Sequence, residues 1–525
     1  MRRLRAGSRW AAAVGILLIL LSIVQMTAER RGLHRERQEI DGIPITALRP
    51  ADATGRLPTV VLVHGFAASS PIMEPLARTF ARSGYLAVTY DMRGQGASRK
   101  TFVPYDSGNE MDSLRMLVDE MDTVMAHVRG RPDSDPDRTA ILGHSLGTAV
   151  SNHYAIENPD RLRATLALST IYTDVRPGAP PNLLLLVGAN EPGSFRKNAQ
   201  AALRNASGDD AAAVDITTGD FGRGTARRMS VVPHVEHATI LFSHYTAREC
   251  LDWLAATIGA GRPLPGAPWD LQILWSGLLS IGALLLFPAL AAWLGHVLHL
   301  ADAGRLARSV GAPLRGLPLL AFAAAGVLAP VLTRWLPWRA PAVMVADYLG
   351  PLSLYYGLIA GAVAWPVVRR RVWPRDGVPF VGRPALYLAL LFVYLAATVG
   401  FALNNGLFVL VPGTARIGGI LLLALLFVPA FTVLETVARE HRPLRAWGYW
   451  IGGALGWSLA LGIGLLLGAP FFLALVFPGW AGLLAIAGYL GDAVYRACRI
   501  PLAGAILQAL CVGWVLGMVG PLLGR

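Results

Sequence analysis

Gly143-His144-Ser145-Leu146-Gly147 lies between an apolar run, Thr139-Ala140-Ile141-Leu142, and a helix-like segment, Leu146 to Asn158. Glycines two residues to either side of a serine suit a tight strand-to-helix turn, where larger side chains would strike the adjoining strand and helix. The helix N-terminus beneath such a serine favours negative charge. A serine hydroxyl is a poor nucleophile at neutral pH, so it needs a base, and the base needs an acid to orient it. Two later strand-like runs end in those residue types. Leu183 to Val187 leads into Gly188-Ala189-Asn190-Glu191, and Arg228 to Val232 leads into Pro233-His234-Val235-Glu236-His237. The chain order serine, acid, histidine is that of a nucleophile on a parallel sheet served by later strands. His234 and His244 compete with His237, which opens a helix and can point across the sheet edge. Asp215 and Asp220 compete with Glu191. His64 reads as a structural member of its loop, and Asp91 and Arg93 as shapers of the glycine turn that follows them. Asp133, Asp135 and Asp137, interleaved with Pro132 and Pro136, read as a solvated turn and not a metal site.

The elements that would position these groups alternate along residues 40–260. Thr59 to Val63 is a continuous apolar, β-branched run, the pattern of a strand covered on both faces. Pro71 to Ser83 has helical spacing, Tyr85 to Tyr90 is the next strand, and Met111 to Val128 is an amphipathic helix. The strand and helix around Ser145 follow. Then come strands at Leu162 to Leu168, Asn182 to Val187 and Arg228 to Val232, and a closing helix from Ala238 to Ile258. Strand and helix in turn predict an α/β fold, a doubly wound and mostly parallel sheet. Reactive groups in such sheets collect at the carboxyl ends of the strands, where the residues above fall.

These motifs resemble the α/β-hydrolase superfamily over residues 40–260. The matching stretches are His64-Gly65-Phe66 after the third strand and Asp91-Met92-Arg93-Gly94-Gln95-Gly96-Ala97-Ser98 after the fourth. Ser145 follows the fifth strand, Glu191 the seventh and His237 the eighth. The resemblance implies a serine esterase or lipase-like enzyme, with Ser145 as nucleophile, His237 as general base and acid and Glu191 as orienting acid. It also implies an oxyanion hole made by the backbone N–H groups of Phe66 and Leu146. Glutamate in place of the more usual aspartate is a departure from the family pattern. Ser169 to Pro181 is too short and too rich in Pro and Gly for a helical cap. The expected specificity elements are therefore Lys100 to Asn109 and Pro192 to Arg227, the latter with a short helix from Phe195 to Asn205. An open, membrane-tethered site suggests small or lipid-like acyl esters, through an ester hydrolase or, with the same acyl-enzyme, a peptidase or acyltransferase.

Composition divides the chain. Hydrophobic residues make up 54% of its 525 residues and charged residues 15%, against about 25% charged in soluble proteins. The apolar excess is concentrated beyond residue 263. Residues 1–28 carry a basic head and an uncharged run from Trp10 to Met26, which reads as an anchor more than a cleaved signal. Residues 29–262 read as the hydrolase domain and 263–525 as a transmembrane domain. Eight runs there are long enough to cross a bilayer, near 271–293, 317–333, 343–367, 385–403, 416–437, 447–468, 470–489 and 501–522. The net charge of +13 is almost entirely arginine, and the Arg, Ala and Gly bias points to a bacterial genome. The arginines sit in alternate loops: 305, 308 and 315; 369, 370, 371, 375 and 383; 439, 442 and 445; 496 and 499. The positive-inside rule then puts these loops in the cytoplasm and the hydrolase domain outside, in a bacterial cell membrane. This favours membrane lipids over nucleic acid as partners of the basic chain. The three cysteines, Cys250, Cys498 and Cys511, offer no disulfide framework or metal spacing, and no cofactor is expected. With few ionisable residues in the runs, the bundle reads as an anchor or oligomerisation module. A transporter or scaffold with a non-catalytic hydrolase-like domain is the alternative.

Overall fold

The computed structural model describes residues 6–103, 110–259, 261, 269–300, 314–336, 341–369, 382–439, 443–470 and 473–524. Eight strands form one sheet: β1 (Leu33–Ile40), β2 (Ile43–Pro50), β3 (Leu57–Val63), β4 (Leu86–Tyr90), β5 (Ser134–His144), β6 (Ala164–Leu168), β7 (Leu183–Gly188) and β8 (Arg227–Val232). Their spatial order is β1-β2-β4-β3-β5-β6-β7-β8. β2 runs antiparallel to both its neighbours, and every pairing from β4 to β8 is parallel. The central strands are apolar because both faces are covered. Val60 to Val63 and Leu183 to Val187 are fully buried, between helices α2 (Ser70–Arg82), α3 (Glu110–Gly130), α4 (Leu146–Glu157), α5 (Gly193–Ser207) and α6 (His244–Ile258).

The predicted strands and helices are present, with three differences. The β1–β2 hairpin was implied only by the strand count of the resembling family. Its signal is Asp41-Gly42, whose φ angles of 50° and 74° are those of a two-residue hairpin turn. β5 begins at Ser134, not Thr139, so Asp135 and Asp137 lie in a strand. An irregularity between Leu57 and Thr59 absorbs Pro136 there, and Arg131 and Arg138 pair with Asp133 and Asp135. The closing helix is split into a 3-10 turn, Thr239–Phe242, and α6, whose N-cap Ser243 accepts from Tyr245 N and Thr246 N.

Outside the sheet lie α1 (Ala6–Ala28), α7 (Gln272–Val297), α8 (Leu317–Trp335), α9 (Ala346–Val363), the short α10 (Trp365–Val368), α11 (Arg383–Leu395), α12 (Phe401–Asn404), α13 (Thr414–Ala438), α14 (Pro443–Leu466), α15 (Leu473–Cys498) and α16 (Pro501–Val519). A π turn, Ala396–Gly400, joins α11 to α12. Among the described residues, helices occupy most of each of the eight expected apolar runs. Seven helical stretches among the described residues are long and apolar enough to cross a membrane: Arg9–Ala28, Gln272–Val297, Leu317–Trp335, Arg383–Asn404, Thr414–Ala438, Leu444–Leu466 and Pro501–Val519. α9 and α15 fall outside that set. α9 is made less apolar by Asp347, Tyr348, Tyr355 and Tyr356, whereas Leu473 to Leu490 of α15 carries no charged residue. The first helix packs into the bundle rather than standing apart: a Cβ on Gly15 would lie 2.7 Å from Gly282 O, and one on Gly282 2.7 Å from Gly15 O. Small residues of this kind let two helices approach closely.

Sheet and bundle share one apolar cluster. It runs from Val61, Val63 and Ile141 through Phe102 to Val343, Met344, Phe427 and Trp457. Buried ion pairs reinforce the junction. Arg78 on α2 bonds Glu74 at 2.9 Å and Asp270, just before α7, at 2.6 Å, and Arg82 reaches Glu29 and Asp270 at 2.6 and 3.5 Å. Arg78 and Asp270 are 2% and 1% exposed, so each depends on the other for solvation.

Candidate active site

The turn after β5 sets the centre. Ser145 has φ 54° and ψ −119°, a strained conformation that costs on the order of 1–3 kcal/mol. Its flanking glycines are sterically required. A Cβ at Gly143 would lie 2.3 Å from Gly147 O, and one at Gly147 2.3 Å from Val63 O. The turn is tied down by Ser145 N donating to Leu168 O at 3.0 Å and Thr148 Oγ1 donating to Ser145 O at 2.6 Å.

Ser145, His237 and Glu191 come together from the carboxyl ends of β5, β8 and β7. His237 Nε2 is 3.0 Å from Ser145 Oγ, and His237 Nδ1 is 3.5 Å from Glu191 Oε1. Glu191 is 1% exposed at its side chain and its Oε1 also accepts from Ser169 Oγ. The Glu191–His237 contact is longer than a hydrogen bond, and both His237 Nδ1 and Glu191 Oε2 are buried with no hydrogen-bond partner. Shortening it by about 0.5 Å makes it one, the kind of tightening that active sites undergo when substrate binds. The rivals are elsewhere. His234 is exposed, and His244 stacks on Trp269 at 5.3 Å. Asp220 caps its own turn through Arg223 N, and Asp215 pairs with Arg228.

Leu146 is the first residue of α4, so its N–H has no partner within the helix. Phe66 follows Gly65, whose added Cβ would lie 3.1 Å from Ser145 Cβ, so this loop runs directly against the serine. Its neighbours hold it there. His64 donates from Nδ1 to Gly65 O at 2.8 Å and accepts at Nε2 from Met92 N at 3.1 Å, which uses both ring nitrogens. Burial keeps His64 below the usual histidine range, in agreement with a neutral structural ring. Asp91 Oδ1 accepts from Ser70 N at 2.6 Å and Oδ2 from Ala97 N at 2.9 Å, joining this loop to the glycine turn. Arg93 N donates to Glu120 Oε2 at 2.9 Å, and burial pushes the Glu120 carboxyl up to about 7.

Two groups escaped the sequence reading. His144, beside the serine, donates from Nε2 to His237 O at 2.8 Å and lies 4.9 Å from the His237 ring, centroid to centroid. Burial, with His237 beside it, lowers it to about 3, so it stays neutral and holds the His237 backbone. The histidine was visible in the motif, but its reach across to β8 was not. Phe195, in the predicted short helix, packs its ring against that of His237, 4.4 Å between centroids.

The bundle borders the site. The segment after α16 threads between the glycine turn and the α8–α9 connection: Leu522 N donates to Gly94 O at 2.6 Å, Phe102 N to Leu522 O at 2.7 Å, Gly524 N to Phe102 O at 3.2 Å and Leu523 N to Ala342 O at 2.9 Å. Arg416, buried at the start of α13, donates to Gly94 O at 2.6 Å, Gly520 O at 2.8 Å and Gly517 O at 2.9 Å. Phe102 in turn lies edge-on to Phe66 at 5.9 Å, and Val409 N donates to Ser69 Oγ at 2.9 Å. The segment from Ser169 to Pro181 contains no helix, as expected. Of the expected specificity loop Lys100 to Asn109, residues 104–109 lie outside the described residues.

Residues 56–211 match a family model described as serine aminopeptidase, S33. A Haemophilus influenzae protein described as a probable lysophospholipase L2 is 26% identical over 125 residues, 24% of this chain and 38% of its own length. A Synechocystis protein described as a non-heme chloroperoxidase is 28% identical over 95 residues, 18% of this chain and 30% of its own. The chain thus spans about a third of the length of these curated relatives. Among solved structures, a bacterial membrane phospholipase A is 16% identical with a TM-score of 0.32, covering 47% of this chain and 94% of its own. An epoxide hydrolase from Vigna radiata is 11% identical with a TM-score of 0.31, covering 43% and 98%.

Proposed function

We propose, for a chain in which an α/β-hydrolase fold is joined to a helical membrane domain, that it is a membrane-bound serine hydrolase cleaving acyl esters through an acyl-enzyme on Ser145. We assign residues 29–262 to the hydrolase domain, 1–28 to a retained anchor and 263–525 to the transmembrane domain. The single observation that carries the reading is the 3.0 Å approach of His237 Nε2 to Ser145 Oγ, with the buried Glu191 carboxylate on the far side of the ring.

His237 accepts the Ser145 proton at Nε2 as Oγ attacks the acyl carbonyl. Glu191 stabilises the imidazolium that forms and keeps the ring oriented. The carbonyl oxygen, now carrying the negative charge, is met by the N–H groups of Phe66 and Leu146 at the positive end of α4. Collapse of the tetrahedral intermediate breaks the ester C–O bond, and His237 returns its proton to the departing alkoxide. Water, activated by the same histidine, then attacks the acyl-enzyme, releases the acid and restores Ser145.

A lipid-like ester is the favoured substrate class. The glycine turn and the Ser69 loop beside the serine rest on the bundle, so the site opens near the level at which the helices leave the membrane. The lysophospholipase-described relative supports the same class. The helix ends on the hydrolase side carry fewer arginines, Arg334 and Arg416 among them, than the opposite ends, where Arg315, Arg369, Arg439, Arg445, Arg496 and Arg499 lie. Under the positive-inside rule this supports an extracytoplasmic hydrolase domain.

Purified full-length protein should turn over short-chain nitrophenyl esters and accept a fluorophosphonate label, with Ser145→Ala losing both. Equal activity in the two proteins overturns the assignment. The aminopeptidase description of the matching family favours a second reading, amide hydrolysis. Turnover of aminoacyl nitroanilides in preference to nitrophenyl esters selects it, and product formation with added alcohol selects acyl transfer.

A further inference from the structure

At the end of the bundle remote from the sheet, a cavity of about 160 Å³ is enclosed by the last turn of α13, the first turns of α14 and the end of α15. Its lining brings together Arg439, Arg496, Arg499, Asp492, Trp450 and Tyr495. We propose that this cavity binds a phosphate-bearing anion, as in the headgroup of an anionic phospholipid of the cytoplasmic leaflet. The inference uses the membrane reading above but none of the catalytic chemistry.

The argument is one of charge and placement. Three guanidinium groups line the cavity, and Asp492 is the one carboxylate among its lining residues. Arg439 is neutralised from behind by Glu435, which is fully buried and also accepts from Gln508 Nε2 at 2.7 Å. Arg496 pairs with Asp492 at 2.7 Å, and Asp492 is shared with Arg439 at 3.1 Å. Arg499 has no carboxylate within ion-pair distance among the described residues. Its guanidinium instead lies 5.8 Å from the Tyr495 ring, on which Arg439 also converges at 5.2 Å. Among the described residues Arg499 thus brings to the cavity a cation without an ion-pair partner, which an anion would balance. Arg499 has φ 61°, the left-handed region that a residue with a Cβ seldom occupies, and its N–H closes α15 onto Tyr495 O at 2.8 Å. Trp447, half exposed on the rim, and Trp450 supply an aromatic wall at the depth where such side chains meet headgroups. Basic pockets between membrane helices on the cytoplasmic side have the right chemistry for phosphate headgroups, and each arginine there contributes about 1 kcal/mol, or roughly fivefold in affinity.

The test uses full-length protein in neutral detergent, with lipid binding followed by native mass spectrometry. The probes are a short-chain phosphatidylglycerol, the matching phosphatidylcholine and inorganic phosphate. The expected result is preferential retention of phosphatidylglycerol, weakened roughly fivefold by Arg499→Gln, partly restored by Arg499→Lys and unaffected by Arg334→Gln at the other end of the bundle. Arg496→Gln serves as the second variant should Arg499→Gln not fold. Arg499-dependent binding of inorganic phosphate without lipid retention keeps the phosphate site but assigns it to a soluble ligand. Equal retention of the two lipids with no phosphate binding, or binding that ignores Arg499 and Arg496, overturns the proposal. Ester turnover by Arg499→Gln should equal that of the parent, so a failed lipid test and a failed catalytic test are distinguishable.

Discussion

Deleting Leu522 to Arg525 should slow catalysis without touching a residue of the proposed triad. Four backbone hydrogen bonds leave with this segment: Leu522 N to Gly94 O, Phe102 N to Leu522 O, Gly524 N to Phe102 O and Leu523 N to Ala342 O. Each is worth about 1 kcal/mol net, and Phe102 is 1% exposed, so its freed N–H and C=O regain little water. Three of the four bonds hold Gly94 or Phe102, so the glycine turn and Phe102 lose up to about 3 kcal/mol of restraint, less whatever Arg416 retains through its own bond to Gly94 O. Phe102 packs on Phe66, and Phe66 carries one of the two proposed oxyanion donors. A donor displaced by about 1 Å costs on the order of 100-fold in rate. Nitrophenyl ester kinetics on the full-length and shortened proteins should show kcat down by about 10- to 100-fold with a smaller change in KM. The fluorophosphonate labelling rate should fall in parallel. Unchanged kcat and labelling in a folded, shortened protein would refute the claim that the bundle positions the oxyanion loop.

Other outcomes follow from single residues. Glu191→Gln should lower kcat by roughly 10²- to 10⁴-fold, since a buried neutral amide cannot stabilise the imidazolium; a loss below threefold would remove Glu191 from the triad. Gly143→Ala forces a Cβ to 2.3 Å from the Gly147 carbonyl oxygen, so the elbow must shift, and the variant should neither label with fluorophosphonate nor reach the parent's melting temperature. Asp270→Asn leaves the buried Arg78 with Glu74 as its remaining partner and should cost about 3 kcal/mol, read as a lower melting temperature; no change would mean that the junction is not held by charge. Glu120 binds its proton more tightly in the folded than in the unfolded chain, being raised to about 7. Stability from this group is therefore greatest in acid and falls as pH rises from about 4.5 to 7, by about 2–3 kcal/mol. Melting curves of Glu120→Gln should lack that decline, and curves parallel to the parent's across the window would contradict it.

Local patterns carried much of this protein. Thr59 to Val63 could be read as a doubly covered strand because five successive β-branched or apolar residues suit no half-exposed surface. The elbow was readable because Gly143, Ser145 and Gly147 meet a steric demand that few residues satisfy. β1 was harder: Leu33 to Ile40, an edge strand with charged residues along its length, lacks an apolar run, and only Asp41-Gly42 marks the turn. His144 carries no signal in its own neighbourhood, because its partner is a carbonyl far along the chain.

From its sequence alone, the chain determined a sheet with a serine, an acid and a histidine after its fifth, seventh and eighth strands, and a long series of helices with arginines at alternate ends. Those properties are local or periodic, set by side-chain size, polarity and spacing. Tertiary structure decided the rest. It selected His237 over His234 and His244, because the β8 connection brings one ring to the serine and leaves the others outside. It also made the end of the last helix part of the wall beside the site, since Leu522 and Gly94 are far apart in the chain and meet only when the bundle closes against the sheet. Contacts between distant segments depend on how every intervening element packs, and no window of sequence contains that information.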